Sequence, residues 1–70
     1  MMNIQVKIGE RIKQLRERKK LTQKQLAEES GLDRTFINHV ENGRINISIK
    51  SLQKVLEGLD ISFSSFFNRI

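Results

Sequence analysis

Between Thr22 and Gly43 the chain reads TQKQLAEESGLDRTFINHVENG, and this stretch constrains the fold more than any other. Thr22-Gln23-Lys24-Gln25 has the form of a capping box. The Thr hydroxyl can accept from the backbone N–H three residues on, while the Gln side chain reaches back to the N–H of Thr22. Gly31 stands where a helix must stop and the backbone turn left-handed, a conformation that costs a glycine no Cβ clash. Asp33 follows as N-cap of a second helix, and Asn42-Gly43 closes it. Folded as two short helices about a tight turn, Leu26, Ala27, Leu32, Ile37 and Val40 converge on one inner corner. Arg34, Thr35, Asn38 and His39 are left outside. The outer face of the second helix is then short, polar and partly basic, as a probe for a DNA groove must be.

The 70 residues amount to a single domain near the lower limit for a self-supporting core. With no Cys, neither a disulfide nor a thiolate zinc site can staple it, and its one His cannot build a metal site alone. Stability must come from efficient helix packing or from a partner subunit. A net charge of +5 favours a polyanionic partner. No apolar run approaches the roughly 18 residues of a membrane span, and no signal peptide is visible, so a cytoplasmic, nucleoid-associated location is expected.

On either side of the central stretch the pattern stays helical. Met1 to Asn3 read as a frayed start. From Ile4 the apolar residues Ile8, Ile12 and Leu15 recur at helical spacing, interrupted by Gly9, which costs about 1 kcal/mol against Ala unless a neighbouring element packs closely there. This helix ends in Arg16, Arg18, Lys19 and Lys20, cations that either complement the helix dipole or attract phosphate. Leu21 leaves almost no linker. After Gly43 comes a connection, Arg44-Ile45-Asn46-Ile47, and then Ser48 as N-cap of a fourth helix carrying Leu52, Val55, Leu56 and Leu59. Gly58 and Asp60 break that helix. Ser62 opens a last short one, residues 62–68, containing Phe63, Phe66 and Phe67. No stretch alternates like a strand. An all-α bundle of five short helices around a central helix-turn-helix is expected.

In order, Ile8-Gly9, Leu15-Arg16, Thr22-Gln23, Leu26-Ala27, Gly31, Ile37, Glu41-Asn42-Gly43, Ser48 and Leu52 resemble the helix-turn-helix family of the lambda repressor and Cro proteins (Xre-like) over nearly the whole chain. Leu32-Asp33-Arg34-Thr35-Phe36-Ile37, with Asn46-Ile47-Ser48, is similar to the controller proteins of restriction–modification systems. Those are small dimers that regulate their own gene and the nuclease gene. The sequence departs from that subgroup at Ile45-Asn46, where controllers often carry Arg-Asn; Arg44 either takes over that contact or leaves it unmade.

The resemblance implies a sequence-specific transcriptional regulator whose second motif helix enters the major groove. Arg34 leads that helix, where a guanidinium can pair with guanine O6 and N7. Thr35 is placed for a thymine methyl or a phosphate, Phe36 for the core or the DNA, and Asn38 and His39 for a phosphate or a base. Gln23 begins the first motif helix, where its amide and the free N–H groups can hold a phosphate. Asn42, Asn46 and Ser48 are candidates for backbone contacts that set register, although capping alone accounts for Ser48. The resemblance also implies an ion pair between Arg16 and Glu41.

Phe63, Phe66 and Phe67 cannot all point inward from one short helix, so some of the apolar surface they form with Leu59 and Ile61 is expected to be a homodimer contact, core packing alone being the alternative. Symmetric recognition helices about 34 Å apart imply a palindromic operator in double-stranded DNA. RNA polymerase is a further partner if binding activates transcription. A phage or plasmid repressor, or an antitoxin with a toxin partner, are the rival readings. No catalytic residue, metal site, cofactor or small-molecule ligand is expected: the single His has no Cys or carboxylate constellation, and there is no Gly-rich phosphate loop.

Overall fold

Four of the five helices begin on a side chain that caps them. In the computed structural model, which describes residues 3–70, the order is α1 (Ile4–Arg18), α2 (Gln23–Ser30), α3 (Arg34–Glu41), α4 (Ile49–Gly58) and α5 (Phe63–Phe67). Thr22 completes its capping box on both sides, its hydroxyl accepting from the Gln25 N–H at 3.0 Å and its own N–H donating to Gln25 Oε1 at 2.8 Å. Ser48 and Ser62 cap α4 and α5 by the hydroxyl half of that arrangement alone, accepting from the N–H groups of Ser51 and Ser65. Asp33 holds the N-cap position of α3 with no side-chain cap bond. Of the frayed start read from Met1 to Asn3, the first two residues lie outside the described region. Asn3 is ordered by chemistry the sequence reading overlooked: its Oδ1 accepts from the N–H groups of Gln5 and Val6 and caps α1.

The helices stop as sharply as they start. Gly31 and Gly43 take left-handed backbone conformations, φ +67° and +68°. Lys20 and Asp60 adopt the same conformation without being glycine, at φ 58° and 56°. In each case the following N–H returns to a carbonyl five residues back, as in Leu21 to Arg16 and Ile61 to Leu56, so carbonyls at the helix end are not left without donors. The end of α4 therefore falls to Asp60 alone. Gly58 is still helical, and its role is contact: a Cβ there would lie 2.6 Å from Ser30 Oγ of α2.

The five apolar stripes close on one core formed by Ile12, Leu26, Ala27, Ile37, Val40, Leu52, Val55, Leu56, Leu59 and Phe66. α2 packs on α4, and α3 packs on both α1 and α2. Gly9 explains how α1 approaches so closely, since a Cβ at that position would overlap the Val40 carbonyl oxygen and sit 3.0 Å from that of Glu41. The glycine that weakens α1 as an isolated helix thus lets it seat against the last turn of α3. No strand occurs among the described residues, and no helix is long and apolar enough to cross a membrane.

The aromatic end divides its three rings. Phe66 is 0% exposed and fills the core; Phe63 is half-buried; Phe67 remains 38% exposed. Phe67 meets Phe66 edge-on at 5.1 Å between centroids and stacks near-parallel with Phe63 at 6.4 Å. Two of the residues read as dimer contacts are thereby corrected. Leu59, 2% exposed, and Phe66 belong to the protomer's own core: Leu59, the C-cap of α4, continues the inward stripe of Leu52, Val55 and Leu56, and Phe66 is the residue α5 buries. Ile61, Phe63 and Phe67 are what this end offers outward.

Candidate nucleic-acid interface

The outer stripe of α3 follows from its inner one. With Ile37, Val40 and Glu41 turned in, the opposite side is left to solvent, where positions three or four apart from one another are neighbours, and Arg34 and Thr35 stand exposed there with Asn42 further along. Asn38 and His39 are half-buried, lying at the flanks of that surface rather than on its crest. Phe36 is also half-buried and packs against the core, leaving only part of its ring outside. Beyond α3, Arg44, Asn46 and Ser48 are exposed along the segment leading into α4. The Arg44 backbone is pinned by its N–H to His39 O at 2.9 Å. Beside this surface an open groove is lined by Arg16, Thr22, Gln23, Lys24 and Arg34, where the free N–H groups at the start of α2 meet cationic side chains. That combination suits a phosphate.

From the floor of the groove a partly buried polar chain ties three helices together. Arg16 Nε donates to Glu41 Oε2 at 2.7 Å and Arg16 Nη2 to Glu41 Oε1 at 3.1 Å, a two-pronged pairing of guanidinium and carboxylate. The third nitrogen, Nη1, donates to the Leu21 carbonyl at 2.8 Å. The side chains are only 11% and 2% exposed. The hydrogen bond to Glu41 raises the affinity of the Arg16 guanidinium for its proton, outweighing the opposing effect of burial. Glu41 sits in the last turn of α3, where a negative charge opposes the helix dipole; the cation from α1 compensates it. Of the basic run at the end of α1, Arg16 is thus committed inward, while Arg18, Lys19 and Lys20 remain exposed.

The chain runs on through Gln23. Its Nε2 donates to Glu41 Oε1 at 3.0 Å, and its Oε1 accepts from Asn38 Nδ2 at 3.3 Å. Asn42 Nδ2 donates to the Asn38 backbone carbonyl at 2.8 Å. The resemblance implied the pairing of Arg16 with Glu41, but the extension of the network through Gln23 to Asn38 was missed. Its members are 15 to 25 residues apart, and no periodicity joins them. The only signal in the sequence was the unfavourable Glu at a helix end, which asks for a partner without naming Gln23 or Asn38.

Comparison with known proteins bears on the whole of this arrangement. The helix-turn-helix family matches residues 12–66. The control protein C.MunI of a Mycoplasma species is 38% identical over 71 residues, taking in all of this chain and 96% of the relative. C.BamHI of Bacillus amyloliquefaciens, also a control protein, is 32% identical over 60 residues, 84% of this chain and 74% of the relative. The crystal structure of the restriction–modification controller protein C.Esp1396I, a tetramer in complex with its natural 35 base-pair operator, superposes with a TM-score of 0.92 at 38% identity, covering 99% of this chain and 91% of that one. Such regulators are DNA-binding proteins rather than enzymes. This chain belongs to the helix-turn-helix family, and within it to the small restriction–modification controller proteins.

Proposed function

We propose that the chain binds a palindromic operator as a homodimer in the cytoplasm and regulates its own gene and that of a partner nuclease. The observation that carries this reading is the outer stripe of α3, exposed and led by Arg34, set beside an uncharged-to-cationic groove at the start of α2. Arg34 reads guanine through a bidentate pair and Thr35 contacts a thymine methyl or a phosphate. The start of α2, with Gln23, and the flank formed by Asn42, Arg44, Asn46 and Ser48 grip the phosphates and set register. His39 and the exposed part of Phe36 border the base-reading residues. The solved operator complex of C.Esp1396I supports the assignment of DNA as partner.

The second copy docks on Ile61, Phe63 and Phe67, a partly exposed apolar surface around a groove between α4 and α5 lined by Gln53, Leu56, Glu57, Ile61, Ser62 and Phe63. Symmetry then sets two recognition helices about 34 Å apart, matching half-sites one helical turn apart on one face of DNA. Contact with RNA polymerase is the added step where occupancy activates rather than blocks transcription.

The test is selection of bound sites from random duplex DNA, followed by titration of the winning site across salt. A palindrome is expected, with affinity falling as salt rises. Arg34→Ala should weaken the selected site by about 1–3 kcal/mol and relax preference at one base pair per half-site. Equal, weak binding to every sequence would refute the reading.

A further inference from the structure

The amide of Asn38 is not free to turn. Its Nδ2 donates to Gln23 Oε1, and Gln23 Nε2 donates to Glu41 Oε1. The direction of this chain is dictated from its inner end. A guanidinium only donates and a carboxylate only accepts. Glu41, already clamped by Arg16, therefore forces the Gln23 amide to point its NH2 inward and its carbonyl towards Asn38. Asn38 has to answer with one of its two N–H groups. What it keeps is a carbonyl oxygen and a single N–H, on a residue one helical turn after Arg34.

Those two remaining groups complement adenine. In the major groove adenine presents the N6 amine as donor and N7 as acceptor, whereas guanine presents two acceptors, O6 and N7. An asparagine that engages Gln23 through the N–H trans to its Oδ1 keeps the cis N–H beside that oxygen and can meet adenine at both points. It cannot supply the two donors that guanine needs. We propose that Asn38 is a specificity-determining residue that reads an adenine in each half-site, and that Gln23 is the positioning residue that sets its amide. The inference rests on the reading of α3 as the recognition helix.

The experiment uses the selected operator and changes its adenines one at a time, either to purine, which lacks the N6 amine, or to 7-deazaadenine, which lacks N7. With the wild-type protein, one adenine per half-site should be sensitive to both changes, and its replacement by guanine should weaken binding about 5- to 150-fold. Asn38→Ala should abolish that sensitivity. Gln23→Ala should lower affinity for all sites through the lost phosphate contact and, in addition, bring the adenine-to-guanine preference at that one position close to unity. Sensitivity that persists in Asn38→Ala, or a preference unchanged in Gln23→Ala, would overturn the proposal. Because the modified bases are tried on the unaltered protein, misfolding of a variant cannot mimic the result. A protein without sequence preference would sink the recognition-helix reading and this inference together. A site that depends on Arg34 but is indifferent to Asn38 would overturn this inference alone.

Discussion

Arg16→Met removes the guanidinium while keeping much of the side-chain stem, and it isolates the consequence of leaving Glu41 charged and buried. Glu41 accepts three hydrogen bonds, two from Arg16 and one from Gln23, and its side chain is 2% exposed. The substitution leaves it one donor, and the Leu21 carbonyl loses the donor it had. Stranding one member of a buried pair costs about 3–5 kcal/mol. A single core of this size rarely supplies more than about 3–5 kcal/mol, so the variant should be largely unfolded or only marginally folded at room temperature. For a domain this small, about 4–8 °C is lost per kcal/mol, which places the fall in melting temperature at about 12 °C or more.

The assay is thermal unfolding followed by far-ultraviolet circular dichroism at one fixed protein concentration, since association stabilises by mass action. The decisive comparison is the double variant Arg16→Met/Glu41→Met. With both charges gone, stability should return to within about 1 kcal/mol of wild type, because apolar replacement of a buried pair is often neutral. A double variant no more stable than the single one would refute the stranded-charge account and assign the loss to packing. The same pair carries a pH expectation. Its partner holds the Arg16 guanidinium protonated more tightly in the folded state, so its stabilisation is complete below the ordinary arginine range and fades only as pH rises beyond it. Alkaline titration through the lysine range should leave this contribution intact.

Three further substitutions test other parts of the fold. Ser30 Oγ is buried without a hydrogen-bond partner, so Ser30→Ala should stabilise by about 1 kcal/mol in chemical denaturation; a loss of stability would mean the hydroxyl has a partner. Gly9→Ala gains about 1 kcal/mol of helix propensity, yet its Cβ meets the backbone carbonyls of Val40 and Glu41, which cannot rotate aside as a side chain would. Net destabilisation by about 1–2 kcal/mol is expected in the same measurement, and a rise in stability would show that α1 can move away freely. Phe67→Asp puts a charge on the exposed ring position of α5 and should shift sedimentation towards monomer with the helical content unchanged; an unaltered association constant would place the dimer contact elsewhere.

Much of the fold was legible in one dimension because its determinants are local. Thr22 and Gln25, Ser48 and Ser62 start helices within three residues of themselves, and Gly31 and Gly43 end them, so caps and turns need no knowledge of the rest of the chain. The spacing of Ile12, Leu26, Ile37, Leu52 and Val55 likewise states which face of each helix turns inward. The outer stripe of Arg34 and Thr35 follows by subtraction.

What depended on tertiary structure is whatever joins distant residues or decides between equivalent ones. Three phenylalanines on one short helix are alike in sequence, and only packing made Phe66 core and left Phe67 exposed. Lys20 and Asp60 take left-handed conformations that their identities do not announce, held there by hydrogen bonds back into α1 and α4. Gly58 looked like a helix terminator and proved to be the point where α4 touches Ser30. The polar chain from Arg16 through Glu41 and Gln23 to Asn38 exists because three helices converge. The Glu in the last turn of α3 asked for a cation, but the orientation of the Asn38 amide was decided by the fold.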